Sequence, residues 1–324
     1  MSAIARSTPL FLFACAVVLA LFPLSGSAFY TEMLGKVMIM AIFAMSLDLL
    51  VGYTGLVSFG HAAYFGIAAY AVALLSPKYE AASLWLTLPV AVLAAALAAF
   101  VIGLFVLRTK GLYFIMITLA FAQMVYFVFH DTKLGGGSDG LYLNFKPEAK
   151  IVGKALFDLG NARHFYYVVL ILMVVVYLFL RRVLRSPFGH ALVGIKANEH
   201  RMESLGFPVF RYKLASFTLA GGLGGLAGYL SACQYGFVNP EIIAWHQSGN
   251  VLLMVILGGL GHLYGAVAGA FVFVLLQEIL SSFTKHWQLL MGAIIVALVL
   301  FLPGGLASLA HRLRNRATEQ ANRD

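Results

Sequence analysis

Residues 249–280 read GNVLLMVILGGLGHLYGAVAGAFVFVLLQEIL, 32 residues with a single acid, Glu278, near the end. A bilayer crossing takes about 20 apolar residues, so this run is too long for one span without heavy tilt. At its centre lies GGLGHLYGAVAG (258–269). It is either one tilted span or two short spans broken near His262, and the flanking charges decide between them. Upstream, Arg181–Lys213 reads RRVLRSPFGHALVGIKANEHRMESLGFPVFRYK, seven Lys/Arg against two acids, net +5. Downstream, Arg312, Arg314, Arg316 and Arg323 face only Glu319 and Asp324. Arg108 and Lys110 form a third basic point in a tight hairpin, whereas loop 131–163 has net charge +1 and is assigned to the outside. Cytoplasmic loops carry the Lys/Arg excess. One span over 249–280 would put the basic tail outside; two spans return it to the cytoplasm. The expectation is ten membrane-crossing elements with both termini cytoplasmic.

The rest of the chain agrees. Of 324 residues, 61% are hydrophobic and 11% charged, where soluble proteins carry roughly 25% charged residues; mean hydropathy is +0.90. The other apolar runs lie near 9–28, 33–51, 56–76, 83–107, 111–130, 164–184, 211–233 and 287–306. The fold class is all-α: a polytopic membrane protein with some spans short or broken. Ten elements permit two five-helix halves of opposite orientation, an arrangement common in transporters. One permease domain covers 1–310, with the external loop 131–163 and a cytoplasmic loop 185–211, and 311–324 forms a basic cytoplasmic tail. Arg6, an apolar core and Ser25-Gly26-Ser27-Ala28 also fit a cleaved signal peptide, but a retained first span is the expectation.

Several function classes fall away. The net charge of +9 has no basic-aromatic surface beside it, and membrane loops accumulate Lys and Arg in any case, so no nucleic-acid partner is expected. Cys15 and Cys233 lie in apolar runs, and the nine His show no metal-ligand spacing, so no metal site is expected. Neither Gly35-Lys36 nor Gly153-Lys154 is followed by Ser or Thr, so the chain has no Walker A loop. Membrane carboxylates are few and widely spaced, which argues against an ion-coupled secondary carrier. Without clustered His or carboxylates there is no catalytic site.

Polar groups inside the spans mark the candidate path. SLDLLVGYTGLVSFGHAAYFGIAAY (46–70) is a strip of small residues of the kind that lets membrane helices approach closely. It offers Tyr53, Thr54, Ser58 and His61, and Asp48 is an intramembrane carboxylate, a functional candidate by default. Tyr113, Thr118 and Gln123 lie in the 111–129 run, and Asn250 opens the broken segment. In the basic loop, Ser186-Pro187 halts the preceding helix. His190–Leu205 places Leu192, Ile195, Met202 and Leu205 at helical spacing, and Gly206 then Pro208 stop it. An amphipathic helix parallel to the membrane follows. It could lie on lipid headgroups, but Glu199 and Glu203 would face anionic lipid, which favours a protein groove.

LLVGYTGLVSFGHAAYFGIAAY (49–70), GLYFIMITLAFAQ (111–123), GGGSDGL (135–141) and GHALVGIKANEHRMESLGFPVFRYKLASF (189–217) together resemble the LivM-type permeases of branched-chain amino acid ABC transporters, in that family's order over roughly 35–305. The resemblance implies an importer of branched-chain or other hydrophobic amino acids in the bacterial inner membrane. Its partners would be a second, LivH-like permease subunit, two ATP-binding subunits (LivG- and LivF-like) that hold MgATP, an external solute-binding protein and membrane lipid. This chain itself would hold no cofactor. The segment Gly189–Gly206 is similar to the coupling segment that rests on the ATPase, which assigns Gly189, Lys196, Asn198, Glu199, Arg201, Glu203 and Gly206 to coupling. The family often has Asn at the position of Asp48 and Gln at that of Leu56. Similar permeases serve urea, short amides or aromatic acids.

Overall fold

The computed structural model describes residues 19–308 apart from 26, 78, 152, 153, 159 and 303. Most of the first apolar run and the basic tail 311–324 lie outside the described residues. Backbone N–H and C=O groups have no water to bond in a bilayer, so apolar runs satisfy them internally as helices. In chain order the helices are α1 (Ala28–Asp48), α2 (His61–Leu75), α3 (Leu84–Val106), α4 (Leu112–Asp131), α5 (Ala162–Leu184), α6 (Pro187–Ala197), α7 (Glu199–Ser204), α8 (Val209–Tyr235), α9 (Trp245–Gly258), α10 (Leu263–Phe283) and α11 (Trp287–Phe301). A π-helical turn, Leu49–Thr54, extends α1. Seven described helices are long and apolar enough to cross a membrane, beginning at Ala28, Leu84, Leu112, Ala162, Val209, Leu263 and Trp287. Helices α2 and α9 have 15 and 14 residues, about 22 Å at 1.5 Å per residue, against a hydrocarbon core of about 30 Å.

The long 249–280 run is broken: α9 ends at Gly258 and α10 starts at Leu263. Helix α1 is the hub, buried along nearly its whole length and packed by α5, α8, α9 and α10. Helix α8 contributes the second seam. Gly221 abuts Ala99 of α3, Gly225 abuts Ala95, and Gly228 lies against the Phe65 backbone of α2. Side chains this small let backbones touch, and close packing drives association where hydrophobicity cannot. Helices α4 and α11 are mostly uncovered.

The two ends of the bundle differ in charge and in structure. At one end the α3–α4 hairpin meets α7 through a Lys110–Glu199 ion pair, so two of the basic points share a face. At the other end loop 131–163 carries structure that the helical reading did not anticipate. Strand β1 (Leu141–Tyr142) pairs antiparallel with β4 (Phe237–Val238), and β2 (Glu148–Ile151) with β3 (Lys154–Asp158). A second correction concerns the basic loop. The single helix expected over 190–205 is two helices, because Asn198 is extended (φ −159°, ψ 101°) and its Oδ1 accepts from the Arg201 N–H at 3.0 Å to cap α7. Leu192 and Ile195 are buried as the spacing implied, and Met202 of α7 packs against Gly194 of α6, but Leu205, just past the end of α7, is 65% exposed.

Candidate functional site

Where the basic loop meets the bundle, three elements are tied at one point. Lys196, near the end of α6, donates from Nζ to the Gly52 carbonyl in the π-helical turn, at 2.6 Å. One turn back, Asp48 Oδ1 accepts from the Gly261 N–H, at 2.9 Å, inside the α9–α10 break. A Cβ at Gly52 would collide with Asp48 Oδ1 and meet the Gly261 backbone, so the glycine is what lets the break reach the carboxylate. Gly261 has φ +76°, a conformation that L side chains rarely adopt. Helix α6 is thus bonded directly to the turn that extends α1, and that turn's helix is bonded in turn to the α9–α10 break.

The loop residues divide into inward and outward sets. Glu199 pairs with Lys213 of α8 at 2.8 Å and with Lys110 at 3.4 Å. Burial works to raise its pKa, but the hydrogen bond and charge of Lys213, with the charge of Lys110, outweigh it and hold the carboxyl below the ordinary value. Arg201 and Glu203 are exposed, as are Gly206 and the apolar Val193, Leu205 and Phe207. Gly189 has a tight-packing role: a Cβ there would strike the Leu184 backbone at the α5–α6 turn. Between this loop and the bundle lies a cavity of about 470 Å³ lined by Thr54, Phe114, Ile195, Lys196, Glu199 and Lys213, among others.

Deeper in the bundle, four of the path candidates meet around segment 55–60, each occupied by a local bond. Thr54 Oγ1 lies 2.9 Å from Ser216 Oγ of α8. Ser58 Oγ accepts from the Gly60 N–H, and Thr118 Oγ1 of α4 accepts from the Phe59 N–H, both at 3.2 Å. His61 Nε2 is 2.8 Å from Ser46 Oγ, which starts α2 two turns up α1 from Thr54, about 12 Å along its axis. The Ala62 N–H then donates to Ser248 Oγ of α9 at 2.9 Å. The two short helices thus begin beside each other, inside the bundle. Rings close the surrounding space: Phe43 stacks on His61 with centroids 5.3 Å apart, and contacts continue through Tyr64 and Phe217 to Phe114.

The remaining candidates are dispersed. Tyr113 is 76% exposed, Tyr53 is half-buried, and Gln123 leaves its Nε2 buried without a hydrogen bond. Asn250 lines a separate cleft at the opposite end. Sequence reasoning missed Ser46, Ser216 and Ser248, single hydroxyls in apolar runs whose partners are distant in sequence. It also passed over Lys36, although a cation within an apolar run is itself a signal. Among the described residues no three His, Cys, Asp or Glu side chains group to hold a metal.

Comparison with known proteins gives the same direction. The family model described as "Branched-chain amino acid transport system / permease component" matches residues 29–299. The high-affinity branched-chain amino acid transport system permease protein LivM of Escherichia coli (strain K12) is 32% identical over 332 residues, 96% of this chain and 78% of that protein. Its namesake from Salmonella typhimurium is 32% identical over 316 residues, covering 92% and 74%. A probable branched-chain amino acid transport permease protein LivM of Methanocaldococcus jannaschii is 26% identical over 163 residues, covering 44% and 46%. No solved structure matches the chain. With five-sixths of its length matched by one family model and nearly all of it by full relatives, this chain belongs to the branched-chain amino acid transport system permease family.

Proposed function

We propose that this chain is a membrane-spanning subunit of an ATP-driven importer that moves branched-chain or other hydrophobic amino acids delivered by an external binding protein. It pairs with a second permease subunit in the bacterial inner membrane, both termini cytoplasmic, and two ATP-binding subunits supply the energy from MgATP. The chain is a transport subunit and not an enzyme. One observation carries the reading: an exposed helix pair in the basic loop is wired by Lys196–Gly52 and Asp48–Gly261 to the hub helix and to the broken segment. An energy source outside the membrane needs such a handle, because a partner shifts a conformational equilibrium only through contacts that differ between the states. Arg201 and Glu203, with Val193, Leu205 and Phe207, are the groups placed to grip it, and Gly189, Asn198 and Gly206 set the shape of the loop.

Ten crossing elements in two inverted halves have support in a repeated order. A long buried helix, a non-α-helical connection, a short helix and two further spans occur as α1, 55–60, α2, α3, α4, and again as α8, 236–244, α9, α10, α11. The end of the first apolar run, held to α5 by Tyr166 and Tyr167 hydroxyls on the Leu19 and Ala20 carbonyls, and α5 itself would head the two halves. The permease domain then spans 1–310, with 311–324 as its cytoplasmic tail. Asp48, Tyr53, Thr54, Ser58, His61, Thr118, Gln123 and Asn250 flank or seal the path, and Tyr113 faces outward at its margin.

The test is uptake of labelled leucine by cells with and without the chain, proton and sodium gradients collapsed and ATP maintained. Chain-dependent uptake under those conditions is expected. Entry of urea or an aromatic acid in place of leucine would change the substrate, and loss of all transport with the gradients would replace the importer by an ion-coupled carrier.

A further inference from the structure

At the end opposite the basic loop, a cleft of about 280 Å³ opens between α1, α8, α9, α10 and the connection before α9. Clefts for drug-sized ligands run from about 300 to 1,000 Å³, so this one suits a single small molecule. The polar side chains that line it include Lys36 of α1, Glu241 of the connection, His246 and Asn250 of α9, and Gln277 of α10, beside Ser231, Tyr235, Asn239 and Gln247. Lys36 and Glu241 form no ion pair, with each other or with any other described residue. Lys36 lies eight residues into a helix that is otherwise nearly all buried and apolar. Lys36 is half-buried, with Glu241 and His246 exposed at the mouth of the cleft, and an ionisable group within a membrane segment is a functional candidate by default. One turn along the same helices the lining is an apolar wall: Met40 beyond Lys36, Met254 beyond Asn250 and Phe273 before Gln277, with Phe65 of α2.

A cation and an anion, unpaired, beside an apolar wall are the complement of a zwitterion with a hydrocarbon side chain. From this geometry, and resting on the transport reading above, we propose that the cleft is a transient subsite for a free α-amino acid entering the membrane. Lys36, aided by His246, faces the α-carboxylate, Glu241 the ammonium, and Asn250 and Gln277 the remaining polar edge; the side chain lies on Phe65 and Phe273. A second carboxylate, as in glutamate, would be set against the apolar wall. The chain therefore adds its own discrimination to that of a delivering protein.

The complete transporter, reconstituted in proteoliposomes with its binding protein, tests this through two readouts, leucine flux and ATP hydrolysis. For Lys36→Gln and Asn250→Ala, flux should fall at least tenfold while hydrolysis stimulated by the loaded binding protein stays within twofold, and Lys36→Arg should retain most of the flux. A Gln277→Cys variant on a Cys15→Ala, Cys233→Ala background should be modified by an impermeant thiol reagent more slowly in the presence of leucine, and no more slowly with glutamate. Flux within twofold of wild type, flux and hydrolysis falling together, or labelling indifferent to leucine would each overturn the subsite. A wild-type complex that moves no leucine overturns the functional reading itself.

Discussion

Asp48 illustrates how a single polar atom is used in this protein. Its Oδ1 holds the Gly261 N–H, while Oδ2 is buried without a hydrogen bond. The bond asks for an acceptor and not for a charge, so Asp48→Asn should keep at least half of wild-type uptake, which is also how relatives with Asn there would work. Asp48→Ala strands the Gly261 N–H. Leaving a buried donor unsatisfied costs about 1–3 kcal/mol, and uptake should fall about tenfold with the protein still in the membrane. Equal uptake in the two variants would remove this bond from the mechanism. The sequence made Asp48 visible because carboxylates are rare in spans. It hid the partner, since a backbone N–H in a loop 213 residues away leaves no mark in composition.

Helices α6 and α7 were legible as an amphipathic unit with stop signals at Gly206 and Pro208, and the inward Leu192 and Ile195 follow from that pattern. Their division was not, because Asn198 reads equally as a helix residue and as a cap. Nor could spacing reveal that Glu199 turns inward to Lys213 and Lys110. Since the Glu199 pKa lies below its ordinary value, this clasp stabilises the folded state fully above the unfolded value of about 4.3, and the contribution is lost as pH falls through the folded value. The helix pair should therefore stay docked unchanged from pH 5 to 8 and loosen only in acid. A double-mutant cycle of Glu199→Gln and Lys213→Met, read by thermal unfolding in detergent at pH 7, should give a coupling of about 1–3 kcal/mol. A coupling near zero would leave Glu199 free to face a partner subunit.

At the scale of the whole molecule, hydropathy located the spans, and loop charge required the break in 249–280 that separates α9 from α10. What escaped is whatever depends on two distant segments meeting: the β1–β4 pairing, the Lys36 cleft, and the adjoining starts of α2 and α9. That last junction carries a consequence of another kind. From Phe65, which lines the cleft at one end, ring contacts run through the buried Phe43, His61, Tyr64 and Phe217 to Phe114, which lines the cavity at the other. The Ser46, Thr54 and Ser248 hydroxyls at that depth are each bonded to a neighbour, and the space around them is filled by the rings. Liposomes carrying the protein should hold a pH gradient as long as empty ones, and Phe43→Ala should shorten that time severalfold; an identical decay would show that the rings are not the barrier. A cell stores its energy as voltage across a membrane, and a gradient held in that test would make these rings part of the insulation.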